Sequence, residues 1–296
     1  MSGRSTQSHL LLCNGCIAIA VAIAVFIRCA SQLAVPTKRW SLRWARALTA
    51  FVVPPLFLFA TAVSILAMGT NGPAVWDSWT SYGLSLGFVL CLFGLWIYLG
   101  WLAIKTRWKM RLCPQQPIET AFGAVPGRVV SVREIFSAQV GLWSSDLVVS
   151  EGLLERLDAE HVSAVFAHVL GHVHFRDTFW FFWLGGLRRV SGWLPYSEAL
   201  WQELLLLREV RADHWASRQV DSLVLAESLV SVVTAPLMMA ESICPGFSCA
   251  APRSRLAQRI DALLSDDLSG LSRVSLGSFA AIALSLTPLL VIPFHH

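Results

Sequence analysis

The stretch FAHVLGHVHFRD, residues 166–177, decides how the rest of the chain is read. It reads as helix, and His168 and His172 stand four residues apart in it. Residues i and i+4 lie on one helical face, so the two imidazoles can share one metal ion. Asp158 is placed to cap a helix over 159–175 that carries both. Val169 follows the first histidine. A histidine pair on a helix surface is the plain alternative, so the metal reading needs ligands from elsewhere in the chain.

A catalytic zinc site takes three protein ligands and keeps a fourth position for water. The stretch REVRADHWA, 208–216, offers Glu209, with Asp213 four residues later on the same face. Glu209 is the candidate third ligand. Asp213 is the candidate to accept a hydrogen bond from a ligand histidine and fix its tautomer. His161 lies near the stripe of His168 and reads as a helix-surface residue. His174 and His214 are adjacent substitutes that no spacing demands.

The composition points to a membrane. The chain of 296 residues is 55% hydrophobic and 14% charged, against roughly 25% charged in soluble chains. Mean hydropathy is +0.59. The formal charge of +4 is explained by loop topology, and no basic patch interleaved with aromatics suggests nucleic acid. Seven cysteines, an odd number, make no disulfide framework. Cys13-x-x-Cys16 has no second pair and reads as apolar packing, like Cys29 and Cys91. Cys244 and Cys249 are expected in a loop, reduced.

Apolar runs of spanning length fall at 10–27, 47–68, 84–104 and 274–294. The second contains Pro54-Pro55, an expected kink. A signal peptide is the alternative for the first run; Arg28 and the lack of a small-x-small site weigh against it. Arg28, Lys38, Arg39, Arg43 and Arg46 follow the first run, and Lys105, Arg107, Lys109 and Arg111 the third. The loop TNGPAVWDSWTSYG between the second and third has no Lys or Arg. The positive-inside rule then puts the N-terminus outside and residues 105–273 in the cytoplasm. The expected fold is a mainly α membrane protein. Three spans occupy 1–104, a cytoplasmic α+β domain 105–273, and a fourth span with a short tail 274–296.

Within the cytoplasmic part, CPQQPIETAFGAVPG reads as a Pro/Gly-rich linker. Strands are expected at 128–132, 135–143 and 146–150. Ser150 should cap a helix over 151–157, Ser197 one over 198–219, and Asp221 one ended by Pro236. A final amphipathic helix, about 253–265, carries Arg253, Arg255 and Arg259, which can meet lipid phosphates. TFWFFWLGGL, 178–187, is too short to span; it is expected to dip into the inner leaflet or pack on the spans.

Taken together, LVVSEGLLERLDAEHVSAVFAHVLGHVHFRD and ELLLLREVRADHWA resemble the membrane-embedded zinc metallopeptidases of bacteria. The layout is most similar to the BlaR/MecR-type antibiotic-sensor peptidases, with HtpX-like peptidases as neighbours. The family's order is a Gly-led strand run, a short helix, a His-Glu-x-x-His helix and a Glu-x-x-x-Asp helix. It matches 141–149, 151–157, His168 to His172, and Glu209 to Asp213. The resemblance implies a zincin-like domain holding one Zn2+ on His168, His172 and Glu209. It also implies action on a polypeptide at the cytoplasmic face of a bacterial inner membrane, within the lipid bilayer.

Two departures matter. The sensor peptidases carry an extracellular ligand-binding domain after the fourth span, whereas this sequence ends in VIPFHH, so β-lactam sensing of that kind is not expected. The second departure is Val169, where the motif has the Glu that acts as general base. General acid–base catalysis contributes roughly 10²–10⁴-fold, so zinc is expected to bind while peptidase activity is impaired. Glu160, Asp177, Glu198 and Glu203 are the other carboxylates considered as substitute bases. The alternative is a catalytically inactive pseudoprotease that binds a partner protein as a zinc-containing regulator or scaffold.

Overall fold

The protein was analysed as a computed structural model, which describes residues 3–33, 37, 39–69, 75–112, 114–120, 123–133, 135–142, 146–234, 255–264 and 276–294. It is mostly helical with one small sheet. Three long helices come first: α1 (Gly3–Leu33), α2 (Trp40–Met68) and α3 (Val75–Arg111). Two of them, α2 and α3, are long and apolar enough to cross a membrane. The Pro54-Pro55 pair lies inside α2, whose helix runs through it. The outer surface of α3 is apolar, with Phe93, Ile97, Trp101 and Ile104 all exposed.

Four strands follow: β1 (Gln115–Thr120), β2 (Gly123–Val130), β3 (Ser137–Val140) and β4 (Asp146–Ser150). Their order is β1-β2-β4-β3. β2 and β4 are parallel, and the other two pairings are antiparallel. The expected linker at 113–127 is thus corrected: most of it is a hairpin. Its prolines, Pro117 and Pro126, sit opposite each other. Proline is tolerated there because β1 is an edge strand and β2 pairs with β4 only from Gly127 onward.

Among the described residues, six further helices follow: α4 (Glu151–Arg156), α5 (Ala159–His174), α6 (Asp177–Ser191), α7 (Ser197–Ala216), α8 (Ser222–Thr234) and α9 (Leu256–Leu263). The chain then runs through α10 (Leu276–Leu284) and a 3₁₀ segment (Thr287–Phe294). Both pack on α2, and Ser64 donates to the Pro288 carbonyl at 2.7 Å. Asp158 caps α5 by accepting from Glu160 and His161 N–H groups. Asp221 accepts from Leu223 N–H at the start of α8. The expected helix end at Pro236 and the Cys244–Cys249 loop lie outside the described residues. Ser197 does not cap α7: its hydroxyl donates to the Ser191 and Leu194 carbonyls, and left-handed Tyr196 starts the helix instead.

α7 is the centre of the packing. Its consecutive leucines 204–207 are all buried, as expected of a helix surrounded on every side. They share one apolar cluster with Trp44, Ala47, Phe51 and Val52 of α2 and with Phe181 and Leu184 of α6. α6, the apolar stretch too short to span, packs on the long helices. Phe182 joins Leu99 and Ala103 of α3, and Gly186 leaves room for Trp96, whose ring a Cβ there would meet at 2.3 Å. A second cluster lies between α5 and the sheet, and it includes Ile118, Leu147, Val149, Phe166 and Val169.

The β4–α4 junction depends on one hydroxyl. Ser150 Oγ is buried and accepts from the N–H groups of Leu153 (3.1 Å) and Phe136 (2.9 Å). Ser150→Ala removes the cap and leaves two buried donors unpaired, so it should cost about 2 kcal/mol. The thermal unfolding midpoint of detergent-purified protein checks this.

Candidate metal centre

Two helices build the site. α5 brings His168 and His172, and α7 brings Glu209 and Asp213, each pair one turn apart. The helices touch at their smallest residues. Gly171 stands beside His172, Ala212 beside Asp213, and a Cβ on Gly171 would lie 3.1 Å from the Cα and carbonyl oxygen of Ala212. That approach lets ligand atoms from both helices converge. His168, His172 and Glu209 each offer an atom within 4.8 Å of the others, and together they can hold a metal ion. The Nε2 atoms of His168 and His172 are 3.1 Å apart. Glu209 Oε2 is 3.3 Å from His168 Nε2, and Oε1 is 3.7 Å from His172 Nε2.

Each histidine has a carboxylate behind it. Asp213 Oδ1 lies 2.7 Å from His168 Nδ1, a close ion-pair contact off the line of a straight hydrogen bond. His172 Nδ1 lies 2.7 Å from Asp177 Oδ2. Asp177 reaches it because Arg176 adopts a left-handed conformation (φ 53°) and folds the start of α6 back. These carboxylates assign the proton of each ring to Nδ1. Each Nε2 then faces the other and Glu209, at the position that a second proton or a metal ion takes up. Two imidazole nitrogens and a carboxylate facing one another fit a metal ion.

Arginines surround the carboxylates. Arg259 of α9 donates to both oxygens of Asp213, 2.8 Å each. Arg208 donates twice to Glu209 Oε1, at 2.9 and 2.6 Å. Arg211 donates to Asp177 Oδ1 and stacks on Trp44 and Phe175. Burial alone would raise the pKa of Glu209, but Arg208, His172 and Arg259 hold it well below the usual range. For Asp213 burial again opposes ionisation, and Arg259 and His168 win. Burial lowers the pKa of His168, yet the Asp213 and Glu209 carboxylates push it up to about 9.

The remaining candidates lie elsewhere. Val169, 5% exposed, belongs to the apolar cluster beneath the sheet and brings no polar atom to the metal ligands. His161 pairs with Asp158 and Glu227. His174 stacks on Trp215, and His214 meets Arg218 at 3.0 Å. Glu198 is engaged by Arg188 and Gln202, and Glu203 by Arg43 and Arg255. Glu160 is in the first turn of α5. Arg255 and Arg259 are turned to protein carboxylates, which corrects their expected contact with lipid phosphates; Arg253 lies outside the described residues. The roles of Asp177, Arg208, Arg211 and Arg259 here had no signal in local spacing. No protein-family model matches the chain, and comparisons with curated proteins and with solved structures find no match.

Two outcomes follow from this geometry. Gly171→Val should force α5 from α7 at an overpacking cost of about 1–3 kcal/mol, read as roughly a 10- to 100-fold loss of divalent-metal affinity by titration. The second concerns pH. His168 carries a proton below about pH 9 in the metal-free protein, so the ion pair with Asp213 stabilises the fold fully below 6.5 and is lost as pH rises through about 9. Metal must displace that proton. Affinity should therefore rise with pH up to about 9, by as much as about tenfold per unit. Calorimetric titration in two buffers of different protonation enthalpy should count about one proton released per metal bound.

Proposed function

We propose that this chain is a membrane zinc protein of the endopeptidase type whose peptidase turnover is absent or strongly reduced. The observation that carries the proposal is the ligand triangle. Tetrahedral zinc with bonds near 2.0–2.1 Å sets its ligand atoms about 3.3 Å apart. The two Nε2 atoms are 3.1 Å apart, and the Glu209 carboxylate approaches them with Oε2 at 3.3 Å from His168 and Oε1 at 3.7 Å from His172; a His/His/Glu set leaves one position for water or a carbonyl. The HtpX-like and BlaR-like order of motifs supports the same reading.

The proposed architecture has four spans, the zinc domain facing the cytoplasm of a bacterial inner membrane. The basic loops support that orientation. α10 and the 3₁₀ segment together extend about 30 Å, the thickness of a bilayer core, and they support the fourth span.

A zinc ion in this site supplies Lewis-acid polarisation of a carbonyl and a lowered pKa for its water. The chain's own residues do the rest of what the site can do. His168, His172 and Glu209 hold the ion, and Asp213 and Asp177 keep both Nε2 atoms aimed at it. Arg208 holds Glu209 in place. Moving a proton from water to a leaving amine needs a further base. Val169 has no proton to carry, and the nearby carboxylates are committed to histidines and arginines. Turnover is therefore lower by roughly 10²–10⁴-fold than with a base in place. The burial of Val169 in an apolar cluster favours, as second reading, a pseudoprotease that binds a polypeptide partner as regulator or scaffold.

Elemental mass spectrometry and one gain-of-function variant test this together. About one zinc per chain is expected, lost in His168→Ala. Val169→Glu should raise cleavage of a membrane-protein set by about 10²-fold or more, and Val169→Gln should not. Zinc bound by Val169→Glu without cleavage would transfer the assignment to the scaffold. Absence of zinc from the unaltered protein would end both readings.

A further inference from the structure

We propose that α6 is seated in the lipid leaflet on the metal domain's side of the membrane, with its aromatic face against lipid. The inference rests on α2 and α3 being membrane spans. α6 has 15 residues, about 22 Å of helix, too short to cross a bilayer core of about 30 Å. It nevertheless packs directly on the spans.

Its contacts set its depth. Phe182 lies with Leu99 and Ala103 of α3. Gly186 lies against Trp96, about 12 Å along the helix from the end of the apolar run at Ile104. At the other end of α6, Ser191 accepts from Arg28 at 3.4 Å, and the same guanidinium donates to the Phe51 carbonyl at 3.1 Å. Phe51 is about 6 Å inside the apolar run that begins at Ala47. α6 therefore touches the spans at depths of roughly 5–12 Å along its length, close to the depth of helices that lie in the membrane interface.

The uncovered side has the chemistry of that layer. On α6, Trp180 is 57% exposed and Trp183 41%, and in the turn that follows Trp193 is 57% and Tyr196 49%. Tryptophan and tyrosine favour the headgroup boundary, where one end of the ring is apolar and the other wet. Arg189 at the end of α6 is exposed and can extend to headgroup phosphates. The exposed surface of α3, with Phe93 and Ile97, continues alongside. Asp177, which orients His172, is the first residue of this helix. The metal centre is thereby fixed to a lipid-seated element, within reach of polypeptide at the membrane surface.

Site-specific photocrosslinking tests this in the full chain, reconstituted in mixed phosphatidylcholine–phosphatidylglycerol vesicles. A benzophenone amino acid replaces Trp180 or Trp193, with Phe93 on α3 and exposed Leu223 on α8 as references. Lipid adducts at 180, 193 and 93, and none at 223, are expected by mass spectrometry. Adducts at 93 but not at 180 or 193 would overturn the seating of α6 and leave the spans standing. No adduct at 93 would overturn the membrane reading, and this inference with it. Crosslinks from 180 and 193 to a second protein chain would show that protein, not lipid, covers the face.

Discussion

The contact between Gly171 and Ala212 is the constraint on which the candidate metal centre depends. Two helices approach closely only where both present little side chain, and here the small pair lies between the ligand positions. A Cβ on Gly171 would sit 3.1 Å from the α7 backbone. With that spacing, Nε2 of both histidines and the Glu209 carboxylate come within 3.1–3.7 Å of one another. The leucines at 204–207 hold α7 from its other sides, so the ligand geometry is a product of core packing.

Electrostatics then completes what packing begins. Glu209, Asp213 and Asp177 are all buried, and a buried carboxylate is costly unless paired and hydrogen-bonded. Arg208, Arg259 and Arg211 each answer one of them. The carboxylates are thus neutralised in place, and the histidines they orient keep their Nε2 atoms turned toward the candidate metal position. The same pairing leaves none of these three carboxylates free to shuttle protons. A site arranged in this way is well built to hold a metal; under the proposed peptidase reading the base would have to come from residue 169, where valine supplies none.

The cluster of candidate ligands was legible in the sequence because its geometry is local. His168 with His172, and Glu209 with Asp213, are i,i+4 pairs, and helical periodicity alone puts each pair on one face. The caps at Ser150 and Asp158 were legible for the same reason. Asp177 was not, because its reach to His172 depends on a left-handed turn at Arg176, an unfavoured conformation for a residue with a side chain. Arg259 was read as a lipid contact since its helix is amphipathic; its actual partner, Asp213, is distant in sequence and is met only once α9 docks on α7. The β1–β2 hairpin was hidden by Pro117 and Pro126, which resemble linker residues until the register shows where a missing N–H is tolerated.

The two faces of α5 separate the questions of metal and of catalysis. One face, with His168 and His172, meets α7 and its carboxylate–arginine network. Val169 instead belongs to the apolar cluster shared with the sheet, whose members include Ile118 of the edge strand β1. A glutamate at 169 would have to carry its charge out of that cluster toward the ligands, whereas valine adds to the packing between helix and sheet. On the proposed reading, valine at 169 withholds a base from the centre while leaving the three residues that can hold an ion untouched. On that reading metal affinity and proton transfer depend on different faces of the same helix, and each can change without the other.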